Sequence, residues 1–164
     1  MSVTVRPVVL PDEVDAVADL VLASVRWHGE QWPEDMRTGP PASSDAPPLR
    51  DQLLEMGRDP SVALLVAVES GAVVGALSGS VGDQPKGGML RYTGRLGYIA
   101  DLAVASTHRQ RGIGAALVSA FETWAVSKGA AHLRLFVHEG NVPAETLYRQ
   151  AGFRRVHIEM RKDL

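Results

Sequence analysis

Two arginines and two glycines fall within seven residues, HRQRGIG, between positions 108 and 114 of the chain. Arg109, Gly112 and Gly114 form the pattern R-x-x-G-x-G, which follows an apolar run at residues 98–104 and precedes a segment of helical periodicity. A helix N-terminus carries unpaired backbone N–H groups and the positive end of the helix dipole, so it attracts anions. Glycines let a phosphate approach the backbone, and arginines add charged donors. The pattern therefore predicts a turn that binds a diphosphate.

Two other phosphate-binding patterns fit this stretch less well. The Walker A motif requires lysine and then serine or threonine after its last glycine, whereas Ala115 and Ala116 follow Gly114. The dinucleotide fingerprint requires a third glycine, and Leu117 stands at that position. On spacing alone, an ordinary strand-to-helix turn with solvated arginines remains an alternative.

The composition limits the class of protein. The chain has 164 residues, 45% of them hydrophobic, which predicts a single domain over residues 1–164 with a sizeable core. It has no cysteine, which excludes disulfides, thiolate catalysis and zinc–thiolate sites. The net charge of -2 argues against a nucleic-acid partner, and no histidine pair has metal-ligand spacing. Because no long apolar run or signal-peptide pattern is visible, we expect a cytoplasmic protein without a membrane partner.

Hydrophobic periodicity predicts an α/β fold with the element order β-α-α-β-β-β-α-β-α-β. The predicted strands cover residues 2–10, 61–69, 72–82, 96–105, 132–138 and 153–164. The predicted helices cover residues 11–25, 49–57, 115–126 and 141–152. Two stretches, 26–48 and 83–95, lack periodicity, and the first holds five of the ten prolines. A long structureless stretch in a small domain is typical of a functional loop.

Two segments resemble signatures of the GNAT superfamily of N-acetyltransferases. IADLAVASTHRQRGIGAALV resembles the family's acyl-CoA-binding segment, and HEGNVPAETLYRQAGF resembles its second signature. Both occur in the family's order and spacing, over residues 98–153. The resemblance implies a mixed, mostly antiparallel sheet flanked by helices, and acetyl transfer from acetyl-CoA to a primary amine by direct attack in a ternary complex. The alternative is a non-catalytic module of the same fold that binds or senses acyl-CoA.

The resemblance also implies which residues bind acetyl-CoA. In this family, the strand before the turn carries a bulge, and its backbone pairs with the pantetheine arm; the matching residues are Leu102, Ala103 and Val104. This strand and the strand at 132–138 are expected to splay apart around the arm. Backbone amides of the turn hold the diphosphate, and the matching residues are Arg109, Gln110, Arg111, Gly112, Ile113, Gly114 and Ala115.

Tyr148 and Asn141 lie in the second signature. Tyr148 matches the family's general acid, which protonates the departing thiolate; the alternative is a packing residue on a short helix. Asn141 precedes Val-Pro-Ala-Glu, where it is expected to cap a helix with Pro143 in the first turn. The resemblance adds a contact between Asn141 and the cofactor.

Asp101 is the candidate general base, because it is a carboxylate in the strand beside the cofactor. Strand alternation places it on the face opposite Leu102 and Val104. The alternative is a structural hydrogen-bond acceptor, and Tyr98 or Glu69 acting through water are rival bases. The oxyanion is expected to bind to backbone N–H groups near Ala103 or Val104.

The first long loop is expected to line the acceptor site. It holds aromatic and acidic side chains, which suit a cationic amine through cation–π contacts and charge pairing. The alternative is that the tryptophans fix the loop to the domain. A small-molecule or peptide amine is the expected substrate, and a homodimer the expected assembly. The candidate substrate-binding residues are Trp27, His28, Glu30 and Trp32, with Glu34 and Asp35 nearby. Lys86, Arg91 and Arg95 in the second loop face either acceptor or solvent.

Overall fold

The computed structural model describes residues 2–31, 48–83, 93–158, 160 and 162. Within these residues, strands and helices follow the predicted order up to the last predicted strand. The strands are β1 (Thr4–Pro7), β2 (Val62–Glu69), β3 (Ala72–Gly82), β4 (Arg95–Val104) and β5 (Ala130–Arg134). The helices are α1 (Val14–Gln31), α2 (Leu49–Met56), α3 (Ile113–Ser127) and α4 (Val142–Gln150). None of the described helices combines the length and apolar character needed to cross a membrane.

The five strands form one sheet in the order β1-β2-β3-β4-β5. Neighbours from β1 to β4 pair antiparallel, and β5 pairs parallel to β4. A parallel neighbour requires a crossover connection, which α3 supplies. The sheet is therefore mixed and mostly antiparallel, as the family resemblance implies.

Two apolar clusters cover the two faces of this sheet. Phe121 and Leu117 of α3 are fully buried against one face, with α4 alongside. Val14 and Val17 of α1 pack against the other face with Leu53 of α2. Full burial of one such side chain contributes roughly 1.5–3 kcal/mol to stability. Each cluster thus fixes one pair of helices to the sheet.

The first helix is longer than its sequence pattern predicts. Residues 26–31, expected in a loop, form the last turns of α1, so the true helix passes through Gly29 and ends at Gln31. One internal glycine costs a helix only about 1 kcal/mol, and the contacts of Trp27 and His28 with residues from other elements offset that loss. Residues 32–47 of the predicted loop lie outside the described residues.

The strand predicted over residues 153–164 is absent where the structure describes it. Residues 153–158 are irregular, and Ile158 is 75% exposed. Alternating apolar and polar residues favour a strand only when a neighbouring strand supplies hydrogen-bond partners. In the described part of the sheet, β5 pairs with β4 and with no further strand, so this segment has no ladder to join.

Candidate active site

The turn between β4 and α3 has the backbone of an anion site. Gln110 and Gly112 adopt positive φ angles of 60° and 79°, so the chain reverses sharply before the helix. The Ala116 N–H donates to the Gly112 carbonyl over 3.0 Å, which begins the hydrogen-bond ladder of α3. No side chain of the described residues caps this helix. The N–H groups that precede the ladder are therefore donors for an anion, and they belong to Ile113, Gly114 and Ala115.

Both arginine side chains of the turn bind protein groups. The Arg111 guanidinium forms a two-point ion pair with Glu69 over 2.5 and 3.1 Å. The Arg109 Nε donates to the Val104 carbonyl over 3.2 Å, and its guanidinium lies 5.8 Å from the Trp27 ring centroid. These contacts hold the turn in place from two sides. The backbone amides, more than the guanidinium groups, are thus arranged for a phosphate.

Glu69 was a rival candidate for the general base. Its contacts join it to the turn at residues 108–114, called the phosphate turn below because the sequence predicts that it binds a diphosphate. It ends β2, with a side chain only 9% exposed. Besides Arg111, it contacts His108, whose Nε2 lies 3.2 Å from its carboxylate. The bond from Arg111 holds the pKa of Glu69 below its ordinary value, although burial acts in the opposite direction. The sequence gives no signal for this pairing, because 42 residues separate Glu69 from Arg111.

The two glycines of the motif are required for different reasons. Gly112 has a left-handed backbone conformation, and a Cβ there would meet nothing within 4 Å. The space beside Gly112 is therefore open for a ligand. A Cβ on Gly114 would lie 3.1 Å from Leu147 of α4. Gly114 thus lets α3 and α4 approach each other, which the spacing of the motif alone did not indicate.

A bulge interrupts β4 close to the predicted position. Asp101 pairs with Ser78, whereas Ile99 pairs with the next residue of β3, Gly79. Ala100 is therefore the extra residue, and it precedes the three residues matched to the family's bulge segment. A bulge re-aims the residues beside it, and here it turns the Asp101 side chain away from the apolar cluster under α3.

The pairing of β4 with β5 ends just before the bulge. Their pairing ends at Tyr98 and Arg134, but β4 continues to Val104. The prediction of a strand as far as His138 was wrong, since β5 ends at Arg134. The pairing of the two strands therefore ends where the resemblance implies that they splay apart. Beyond Tyr98, one backbone edge of β4 has no strand partner among the described residues, and the cleft named below is the space beside this edge.

Tyr148 of α4 is buried in the apolar cluster beside this cleft. It is 9% exposed and meets the Phe153 ring edge-on at 5.6 Å. Burial, with a smaller contribution from the negative charge of Asp101, raises the pKa of Tyr148 to about 12. No hydrogen bond joins its hydroxyl to another described residue. The phenol is therefore protonated at neutral pH and has a donor to offer.

Asp101 lies on the face of the sheet that α1 covers. The Ser78 hydroxyl donates to its Oδ2 over 2.9 Å, and the carboxylate is otherwise exposed. Leu102 and Val104 pack on the opposite face, as alternation predicts. One oxygen of Asp101 is thus positioned by a buried serine, while the residue as a whole is exposed.

Asn141 joins α4 to α1 through two side-chain hydrogen bonds. Its side-chain oxygen accepts from the Ala144 N–H over 3.2 Å, so the predicted cap of α4 is present. Its Nδ2 donates to His28 Nε2 over 3.2 Å. Burial, together with the charges of His138 and Arg109, lowers the pKa of His28. A neutral His28 can accept this bond at neutral pH.

Three of the four predicted acceptor residues lie on α1, and the fourth, Trp32, lies outside the described residues. Trp27 and His28 contact each other edge-on at 5.0 Å and reach the phosphate turn and α4 respectively. Glu30 lies one turn further along the same helix. Trp32 falls outside the described residues, as do Glu34, Asp35, Lys86 and Arg91.

An arginine stacked on aromatic rings, on the face of the sheet that α1 covers, was not predicted from the sequence. Arg134 lies 5.5 Å from the Tyr98 ring centroid and 5.4 Å from that of Phe136. Its Nε is buried without a hydrogen-bond partner among the described residues. Strand pairing brings Tyr98 beside Arg134, so only the register of β4 and β5 reveals this group.

Comparisons with known proteins identify the family and the fold of this chain. The model of the acetyltransferase (GNAT) family matches residues 25–153. Streptothricin acetyltransferase from Escherichia coli is 36% identical over 58 residues, which is 35% of this chain and 33% of that protein. A mutant of the BH1408 protein from Bacillus halodurans has a similar structure, with a TM-score of 0.82 at 19% identity over 98% of this chain and 99% of the other. AAC(6')-Iy, solved with the bisubstrate analogue CoA-S-monomethyl-acetylneamine, has a TM-score of 0.72 at 17% identity over 100% of both chains.

The family match covers most of the chain, including the phosphate turn, the separated strands and the helix that carries Tyr148. The chain belongs to the GNAT family of acetyltransferases. The curated relative spans too little of this chain to assign a substrate, because the aligned part is a third of its own length.

Proposed function

We propose that this protein transfers the acetyl group of acetyl-CoA to a primary amine by direct attack in a ternary complex. The observation that carries the proposal is the cleft between β4 and β5, with an uncapped helix N-terminus at one end and Tyr148 beside it. Leu102 of β4 and Leu135 after β5 pack in the same apolar cluster as Tyr148. The open strand edge is suited to hydrogen bonds with the amide-rich pantetheine arm.

The donor for the oxyanion is assigned from the hydrogen bonds of β4. The Ala105 N–H donates to the Val74 carbonyl of β3 over 2.9 Å. Because successive amides of a strand point in opposite directions, the Val104 N–H points to the cleft, and that of Ala103 points to β3. Of the two amides that the sequence suggested, Val104 is therefore the better placed to stabilise negative charge on the acetyl oxygen.

The acceptor must lose a proton before or during attack. A lysine-like amine with a pKa of about 10.4 is neutral in roughly one molecule per thousand near pH 7.4. We assign Asp101 as the base, acting through water on the side of the sheet that α1 covers. The amine nitrogen then bonds to the carbonyl carbon, the carbon–sulfur bond breaks, and the nitrogen's proton passes to the base.

Tyr148 assists the departing sulfur. A phenol with a pKa of about 12 retains its proton at neutral pH. It is a weaker acid than a thiol, whose ordinary pKa is about 8.5, so full proton transfer to the thiolate is uphill. Tyr148 therefore acts mainly by donating a hydrogen bond to the sulfur as negative charge develops there.

The acceptor is an amine that fits beside α1. The relatives named above act on streptothricin or carry an acetylneamine analogue, which are amine-bearing molecules. Asp101 would attract a cationic amine, whereas the Arg134 guanidinium would repel one from the floor formed by β4 and β5. An acceptor with a single amine group therefore suits this face better than one with many. The proposal includes both small-molecule and peptide amines.

The assembly and the location are part of the same proposal. We expect a cytoplasmic homodimer that needs no metal ion and has no nucleic-acid or membrane partner. Activity that is unchanged in a chelator would be the outcome consistent with a metal-free reaction.

A thermal-shift titration with acetyl-CoA, CoA, ATP and NAD tests the proposal directly. Ligand at about 100 times its Kd should stabilise the fold by about 2.7 kcal/mol. We expect acetyl-CoA and CoA to raise the melting temperature and ATP and NAD to leave it unchanged. An equal shift with ATP, or none with acetyl-CoA, would contradict the proposal. Turnover of acetyl-CoA in a panel of amines then separates an enzyme from a module that only binds acyl-CoA.

A further inference from the structure

A buried carboxylate beneath the phosphate turn has no part in the proposed acetyl transfer. Glu69 is the last residue of β2, and a tight hairpin joins it to β3 through Ser70 and Gly71. It pairs with Ala72 across that hairpin, so its backbone is fixed on both sides. Among charged side chains, burial to this degree calls for a specific partner.

The Glu69 carboxylate contacts two residues of the turn, His108 and Arg111. Arg111 lies between Gln110 and Gly112, the two residues with left-handed backbone, and both ends of its guanidinium bind Glu69. His108 lies at the start of the turn and contacts the same carboxylate at 3.2 Å. A non-glycine residue in the left-handed region costs about 1–2 kcal/mol and persists only where the surroundings hold it.

A carboxylate near a phosphate site is unfavourable unless its charge is neutralised. Arg111 supplies that neutralising charge, and in doing so its own guanidinium is turned toward Glu69. A charge that only served to attract phosphate would be stronger without Glu69. The Glu69–Arg111 ion pair is therefore better explained as a contact that holds the turn in its conformation than as a source of positive charge for phosphate.

We propose that Glu69 is a positioning residue for diphosphate recognition, which holds the turn through Arg111 and His108 so that its backbone N–H groups converge on one phosphate position. This inference rests on the proposed function, since it assumes that the turn binds the diphosphate of acetyl-CoA. It makes a different claim, namely that a residue on the β2–β3 hairpin sets the affinity of a site that it does not touch.

The test uses Glu69→Gln and two ligands that differ in the diphosphate. Glutamine keeps the size of the side chain but presents an amide donor to Arg111. Acetyl-CoA carries the diphosphate, and acetyl-pantetheine carries the same thioester without it. We expect Glu69→Gln to weaken acetyl-CoA binding about 3- to 30-fold and to leave acetyl-pantetheine binding unchanged. Calorimetry measures the first Kd, and competition against bound acetyl-CoA measures the second.

The matched control is Glu13→Gln. Glu13 forms a similar two-point ion pair with Arg6, over 2.6 and 2.8 Å, at the far edge of the sheet. Removing that pair should lower stability without changing either Kd. Phosphorus NMR of bound CoA adds a signature, because Glu69→Gln should shift the diphosphate resonances and leave the 3'-phosphate resonance in place.

Each result decides between distinct conclusions. Equal weakening of both ligands would show that Glu69 supports the domain in general and would overturn the inference, as would unchanged or tighter binding of acetyl-CoA. Should Glu69→Gln fail to fold, Glu69→Asp keeps the charge but shortens the reach, and it should give a smaller shift in the same direction. Failure of the wild-type protein to bind acetyl-CoA would count against the proposed function itself.

Discussion

Tyr148 combines two properties that packing alone would not require. It is buried beside a cleft, and its pKa of about 12 is raised partly by Asp101, a carboxylate on another element. Asp101 lies on β4 and Tyr148 on α4, and the charge of Asp101 makes the smaller contribution to this shift. The proposed reaction gives each group a separate role, Asp101 as the base and Tyr148 as the donor to sulfur.

Replacing Tyr148 by phenylalanine should separate chemistry from binding. Loss of one positioned donor to a developing negative charge lowers kcat about 10²- to 10³-fold. The Kd for acetyl-CoA should be unchanged, because the ring and its packing against Phe153 remain. Single-turnover kinetics and calorimetry measure the two quantities. Unchanged turnover would make Tyr148 a packing residue.

The pH dependence of turnover follows from the direction of the Tyr148 shift. The folded-state pKa is about 12, above the ordinary value of 10.0, so the phenol keeps its proton throughout the neutral range. Its contribution to stability is complete below about pH 10 and is lost as the pH rises from 10 toward 12. We therefore expect kcat to show no decline up to about pH 10. A decline centred near pH 8 to 9 that is absent in Tyr148→Phe would contradict this assignment.

At the residue scale, local patterns were sufficient for Asn141 and insufficient for Glu69. The cap of α4 depends on neighbours three residues apart, so Asn141 could be predicted from the sequence. The partners of Glu69 and Arg134 come from strand register and from residues far along the chain. Such contacts are products of the tertiary fold and leave no periodic trace in the sequence.

At the scale of elements, the turn before α3 depends on backbone geometry more than on side-chain charge. Gly112 has a φ of 79° and open space beside it, whereas both arginines are engaged elsewhere. The glycine thus fulfils two conditions, a left-handed conformation and an unobstructed approach for an anion.

Gly112→Glu should abolish acetyl-CoA binding, since its carboxylate would repel the diphosphate and its backbone would be strained by about 1–2 kcal/mol. Gly152→Glu is the matched control, because Gly152 has a φ of 87° and also has nothing within 4 Å of a Cβ position. The control should lose similar stability and keep its affinity. Thermal melting and calorimetry compare the two variants, and equal affinities would exclude the turn as the phosphate site.

Most elements were predictable because their apolar periodicity is strong. Strands β2 and β3 lie on either side of a two-residue hairpin, and their ends agree with the predicted ends to within one residue. The misjudged elements depend on partners: α1 continues through Gly29, β5 stops where β4 diverges, and the segment after Phe153 lacks a neighbouring strand. A sequence pattern shows what a segment can form, while its partners decide where it stops.

At the scale of the whole molecule, several large apolar side chains are exposed in the segment that follows the edge strand β5. Phe136 is 65% exposed on the chain that follows β5, and Val156, Ile158 and Met160 are exposed beyond it. Exposed apolar side chains are found at protein interfaces. These residues are therefore the candidates for the interface of the proposed homodimer.

Ile158→Lys should shift the protein toward a monomer if this edge forms the dimer interface. Sedimentation velocity at micromolar concentration measures the change. Val126→Lys on α3 is the control, because Val126 is 65% exposed and Ile158 is 75% exposed. A wild-type protein that sediments as a monomer would contradict the proposed assembly. Loss of dimer in the control alone would place the interface on α3 instead.

The division of the core into two clusters has a consequence for how such a protein can diverge. The phosphate turn, α3 and α4 depend on one face of the sheet, while α1 and α2 depend on the other. Under the proposed function, substitutions on the α1 face can therefore accumulate and select new amines while residues 109–115, the proposed diphosphate site, keep their sequence. The exceptions are Trp27, which contacts Arg109, and His28, which contacts Asn141. At these two positions a change of acceptor would also alter cofactor binding, so they should vary the least along the helix.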